Sequence, residues 1–213
     1  MRAKRKLLLL ASILLLGFGI YFILSGAREL VWPWYHQKKV ARTWPPQSVP
    51  APQPQTPAAP NRLDHSLFHT GDTVAKLTIP RLKGQWFVVE GAEDNSLRLG
   101  PGHLEGTAFP GEKGNCVIAG HRDTQFRSLK DIKKGDEIVL TTSIGESRYR
   151  VTGWDIVKPT DTSSLDDTPN AMLNLVTCYP FYYVGNAPKR FIVHAEMAGP
   201  ENAESGQVEA AKK

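Results

Sequence analysis

The distribution of apolar and polar positions divides the chain into unlike parts. Leu7–Leu24 is a run of 18 residues without a charge, and a helix of that length spans roughly 27 Å, enough to cross a hydrocarbon core. Arg2, Lys4, Arg5 and Lys6 precede it with no acid among them. Residues 1–6 are therefore predicted to stay in the cytoplasm as a basic tail, and residues 7–24 to form a single-pass transmembrane signal anchor. A cleaved signal peptide is the competing reading, since Ser25-Gly26-Ala27 offers small residues for processing, but the apolar run exceeds the usual signal core of about 7–15 residues. Either way the remainder is exported. Trp32, Trp34 and Tyr35 lie just beyond the run, where amphipathic rings favour the headgroup layer; the rival reading is a helix packed on the domain.

Residues 25–60 then read as a juxtamembrane segment and linker. Trp44–Pro60 holds seven prolines and almost no large apolar residue, a composition of a stiff, extended spacer. From Val74 the pattern becomes one of short β-rich runs: Val74–Ile79, Gln85–Val89, Asn115–Ala119, Glu137–Thr142, Arg148–Val157, Met172–Thr177 and Phe191–Glu196. Lys83-Gly84, Pro110-Gly111, Lys134-Gly135-Asp136 and Gly145 mark turns between them. Seven or more short strands, with a brief helix expected between Leu63 and Thr70, predict an all-β domain over residues 61–200 that closes, or nearly closes, into a barrel. Residues 201–213 lack a hydrophobic run and read as a disordered tail.

Charge removes one class of partner. The net charge is +5, but residues 1–60 alone carry +7 and residues 61–200 carry −1. The globular part lacks the basic excess that phosphate binding needs, so no nucleic-acid partner is expected. The basic N-terminal end points to membrane lipid instead.

Cysteine usage narrows the chemistry. An exported chain with two thiols pairs them or keeps them for a purpose. Cys178 follows the strand Met172–Thr177 and precedes Tyr179-Pro180; proline cannot extend a ladder, so the strand is expected to stop and leave the thiol at a rim, as suits a nucleophile. Cys116 lies inside Asn115–Ala119 and reads as a small buried hydrophobe. A nucleophilic thiol needs a base, and His121 ends the Cys116 strand behind Gly120, whose bare backbone permits close approach. Alternation puts His121 with Val117 and Ala119, on the face opposite Cys116. Arg190 opens the strand after Cys178, where a hairpin returns it beside the thiol to hold a developing oxyanion. His194 shares the Arg190 face and is the rival histidine, read as a partnered barrel residue.

These residues carry a resemblance. Gly120-His121-Arg122-Asp123-Thr124 and Leu175-Val176-Thr177-Cys178-Tyr179-Pro180-Phe181, followed by Arg190, resemble the sortase family, most like its class D group, across roughly Val74 to Met197. Asn174 is a departure, standing where the family's cysteine motif usually opens with threonine. The resemblance implies an eight-stranded barrel with Cys178 as nucleophile, His121 as acid, and Arg190 as substrate clamp and oxyanion stabiliser. Thr177 and Tyr179 are the expected substrate-binding positions. It implies cleavage of an LPxTG-like signal in secreted proteins, a thioester, and transfer to an amine of a cell-wall precursor or pilin lysine. No cofactor is required by this chemistry; Ca²⁺, which some sortases use, finds only the acid pairs Glu93-Asp94 and Asp166-Asp167.

Two other readings remain open at this stage. One is another exported cysteine acyl-transferase or protease, although the Ser-His-Gly-Cys and Cys-Gly-Ser-Cys-Trp runs of two such groups are missing. The other is a noncatalytic membrane-tethered binding module with an unpaired thiol.

Overall fold

The computed structural model describes residues 2–44, 67–183 and 185–198. Most of the Pro-rich linker and the C-terminal tail, and most of the brief helix expected near Leu63–Thr70, fall outside these residues. A long helix, α1 (Arg2–Thr43), contains an 18-residue window, Leu10–Ala27, that is long and apolar enough to cross a membrane and has none of its residues buried. The helix does not stop with the apolar run. It continues past Trp34 and Tyr35, both 58% exposed, and its last turns reach the barrel.

Eight strands close that barrel: β1 (Thr73–Ile79), β2 (Gly84–Glu90), β3 (Gly102–His103), β4 (Gly114–Ala119), β5 (Glu137–Thr142), β6 (Gly145–Val157), β7 (Ala171–Tyr179) and β8 (Lys189–Met197). Their order around the barrel is β1-β2-β3-β4-β7-β8-β6-β5, so no strand in the circuit is left with a free edge along its whole length. All seven expected runs are strands. Inward positions alternate along each strand, as a two-residue period requires: Ala75, Leu77 and Ile79 of β1, Cys116 and Ile118 of β4, Leu173 and Leu175 of β7, and Val193 and Ala195 of β8 meet in one core.

The eighth strand is the two-residue β3, parallel to β2 and antiparallel to β4. It is held from inside: His103 Nδ1 lies 2.9 Å from Glu90 Oε2, and Nε2 lies 3.0 Å from the Ala108 carbonyl. Because β3 reaches only Val89 and Glu90 of β2, the β2 backbone at Phe87 is left without a strand neighbour on that side. The Gln37 carboxamide of α1 takes the place of one. It accepts from the Phe87 N–H (2.8 Å) and donates to the Phe87 and Leu99 carbonyls (3.1 and 2.7 Å). Gly100 makes room, since a Cβ there would lie 2.6 Å from Gln37 Nε2, and Trp44 packs against the Phe87 ring. An amide side chain matching both backbone groups meets the requirement that buried N–H and C=O be paired.

Candidate active site

Three adjacent strands build the site. β4 and β7 run parallel, with Ala119 opposite Val176. Beyond that rung, the Gly120 N–H donates to the Val176 carbonyl (3.0 Å) and the Thr177 hydroxyl donates to the Gly120 carbonyl (2.7 Å). These two bonds hold the ends of β4 and β7 together, so His121 and Cys178, the next residues along, occupy neighbouring positions at one end of the barrel. On the other side of β7, Cys178 is the direct antiparallel partner of Arg190. Neighbouring strands lie about 4.8 Å apart, which brings the chain positions of a thiol, an imidazole and a guanidinium into one group.

One detail of the expectation is corrected. The β7 ladder does not end at Thr177: Cys178 and Tyr179 still pair, with Arg190 and Lys189. Only proline's own N–H is missing from a ladder, so Pro180 stops the strand after Tyr179, and a cis Tyr179–Pro180 bond follows. Cys178 thus has a fixed backbone and an incompletely buried thiol.

The turn that carries His121 is fixed by its own backbone. Its N–H donates to Gln125 Oε1 (3.1 Å), and its carbonyl accepts from the Phe126 N–H (2.9 Å). Gln125 in turn donates to the Leu97 carbonyl (3.0 Å). Gly120 is required here because a Cβ would meet the Phe126 ring at 2.7 Å, and Phe126 is fully buried in the core. Arg122 donates to the carbonyls of Tyr183 (2.8 Å) and Gly185 (3.1 Å), tying the His121 turn to the β7–β8 connection. Neither Gln125 nor Arg122 has a sequence signal beyond adjacency to the histidine.

The other expected residues are placed as follows. Thr177 faces inward, is 2% exposed and commits its proton to Gly120. Tyr179 packs against the core, its ring stacked on Phe191 at 6.4 Å. Arg190 donates to the Lys189 carbonyl at 3.2 Å. His194 is partnered on both ring nitrogens, by Asn174 (2.7 Å) and Asp155 (3.1 Å). Cys116 and Cys178 are both free thiols, and they differ in kind. Cys116 is fully buried, and burial, reinforced by Glu90 and Glu112, pushes its thiol up beyond the range in which a thiolate forms. Among the described residues no group of three or more His, Cys, Asp or Glu is arranged to hold a metal ion.

Strand register thus groups the chain positions of Cys178, Arg190 and His121 at one end of the barrel, an arrangement compatible with cysteine acyl transfer. The sortase domain model matches residues 77–198. The chain is 33% identical over 187 residues to Sortase D of Bacillus subtilis, covering 87% of this chain and 93% of that protein. It is 30% identical to Sortase A of Listeria monocytogenes over 132 residues, 60% of this chain and 58% of that one. Among solved structures, a Clostridium perfringens Sortase D5 transpeptidase aligns with a TM-score of 0.57 at 31% identity, covering 62% of this chain and 82% of that chain. A Clostridium perfringens sortase C with the C-terminal cell wall sorting motif aligns with a TM-score of 0.58 at 26% identity, covering 64% and 76%. The chain belongs to the sortase family and is a cysteine transpeptidase.

Proposed function

We propose that this sortase cleaves an LPxTG-like signal in secreted proteins and transfers the acyl fragment to an amine. The observation that carries this reading is the rung Cys178–Arg190 beside the β4 end that bears His121. The Cys178 thiolate attacks the threonine carbonyl of the signal. Arg190 donates to the oxygen as it gains charge, where a directed donor in a water-poor site has its largest effect. His121, as the imidazolium, gives its proton to the glycine nitrogen as the peptide bond breaks, leaving a thioester on Cys178. An incoming amine then attacks the thioester, its proton passes to His121, and the thiolate leaves. If water takes the place of the amine, the same steps give hydrolysis. The sorting motif named for the sortase C neighbour supports the same substrate class.

The test is a quenched peptide containing Leu-Pro-x-Thr-Gly, incubated with the full-length chain with and without triglycine or a lysine-bearing peptide. A ligated product in the presence of the amine, and a free acid in its absence, are expected. Failure to cut any member of a panel with x varied would overturn the sorting-signal reading.

The Leu10–Ala27 window and the basic residues before it support a single-pass anchor with the barrel on the extracytoplasmic side. The full-length chain is expected to stay in the membrane fraction after alkaline carbonate washing. A mature N-terminus at Arg28 would show cleavage and remove the anchor.

A further inference from the structure

We propose that Asn174, with Asn115 and His194, clasps the β6–β7 connection, residues 158–170, and thereby sets the wall of the groove along which the sorting signal reaches Cys178. The inference rests on the substrate reading above and adds positioning residues to it. Asn174 lies four residues before Cys178 on the same face of β7, away from the core that receives Leu173 and Leu175. An outward polar residue on such a strand ordinarily meets water, yet Asn174 is 4% exposed and Asn115, on β4, is 3% exposed.

Every donor of the two carboxamides is used. Asn174 Nδ2 donates to Asn115 Oδ1 (2.8 Å) and to the Ser164 carbonyl (2.9 Å), while its Oδ1 accepts from His194 Nδ1 (2.7 Å). Asn115 Nδ2 donates to the carbonyls of Ser164 (2.8 Å) and Asp166 (3.0 Å). The chain of bonds has one sense only, fixed by the backbone carbonyls: turning the Asn174 amide over would set its oxygen against the Ser164 carbonyl and Asn115 Oδ1. With Asn174 Oδ1 accepting, His194 Nδ1 is its donor, and the other ring nitrogen lies 3.1 Å from Asp155 on β6. Four strands and a connection are therefore joined, and breaking the Asn115–Asn174 part of the chain leaves buried polar groups unpaired.

The bonded carbonyls belong to the 3-10 turn Ser163–Leu165 and the residue after it, which no strand pairs. The connection thus crosses the outer face of β4 and β7 at their Asn115–Asn174 end. The face is covered there, Val117 being 1% exposed. Towards Cys178 it is open: Ala119, Val176 and the thiol itself are partly exposed. An extended peptide whose carbonyl reaches Cys178 runs along this apolar strip with the connection as its boundary. Displacing the boundary weakens the fit of the peptide and leaves the reacting groups, on β7, β8 and the His121 turn, where they are.

The expected signature is a split between binding and chemistry. In the full-length chain, Asn174→Ala should raise KM for a quenched Leu-Pro-x-Thr-Gly peptide by roughly tenfold, as for the loss of its bond to the Ser164 carbonyl and of the one that orients Asn115, with kcat within about twofold. His194→Ala, which takes away the partner of Asn174 Oδ1 at a partly exposed site and leaves the bond to Ser164 in place, should give a smaller rise of the same kind and guards against a folding defect in the first variant. Amide hydrogen exchange over residues 163–167 should quicken in both. Unchanged KM and unchanged exchange in both variants would overturn the clasp, as would equal losses in kcat and kcat/KM. A wild-type chain that cuts no peptide of the panel would instead sink the substrate reading, and the exchange measurement would still decide whether the clasp holds the connection.

Discussion

Cys178→Ala is expected to abolish both cleavage of a sorting-signal peptide and formation of any covalent peptide adduct, with the barrel intact. Cys116→Ala is expected to keep both. The two thiols differ only in where the sheet places them. Cys178 stands on the outer face of β7, paired to Arg190 and incompletely buried. Cys116 is sealed in the core with its thiol held protonated by burial and by Glu90 and Glu112. Truncating Cys116 removes one packed sulfur and should lower stability by about 1 kcal/mol, read as a modest fall in Tm with kcat/KM unchanged. Mass spectrometry of the trapped thioester locates the nucleophile directly. An adduct on Cys116, or turnover in Cys178→Ala, would refute the assignment.

The second large effect belongs to Arg190→Lys. The substitution keeps the charge but replaces a planar fork with a compact point charge, so two directed hydrogen bonds can no longer be given at once. Arg190 sits at the first rungs of β8, opposite Cys178, and a bond from its guanidinium to the Lys189 carbonyl (3.2 Å) restrains the side chain. Loss of an oxyanion donor lowers rates by roughly a hundred- to a thousandfold, equivalent to ~2.7–4 kcal/mol. A drop of that size in kcat/KM is expected. A near-normal value would leave Arg190 as a surface cation and place oxyanion stabilisation elsewhere, for example on backbone N–H groups.

The strands that were legible in the sequence are those that alternate over five or more residues, because one buried face imposes a two-residue period. β3 was not, since Gly102 and His103 are too few to show a period; its place is set by the buried Glu90–His103 pair. The helix α1 runs on to Thr43 where hydropathy alone marked an end near Leu24, because its last turns are held by contacts with β2 that leave no local pattern. The placement of the proposed chemical residues was readable from their flanks: a glycine before His121, a proline two positions after Cys178, and a hairpin back to Arg190. The residues that hold the backbone around them were not. Gln125 and Arg122 bond the Leu97 and Tyr183 carbonyls, 28 and 61 residues away, and Asn174 bonds the Ser164 carbonyl in the connection before its strand; hydrogen bonds of that kind have no spacing rule that a single sequence displays.

The parallel pairing of β4 with β7 also bears on how the molecule comes into being. It joins Gly114 to Ala171, so a loop of about 57 residues must close before the first rung forms, at an entropic cost of roughly 3–4 kcal/mol. Hairpins such as β7–β8 can form early from local contacts, and they already bring Cys178 to Arg190. His121 arrives only with the non-local step, which is the slow one in barrels of this kind. On the roles proposed above, Cys178 therefore meets its acid–base partner only when this step is complete, and the same step shuts the Cys116 thiol into the core.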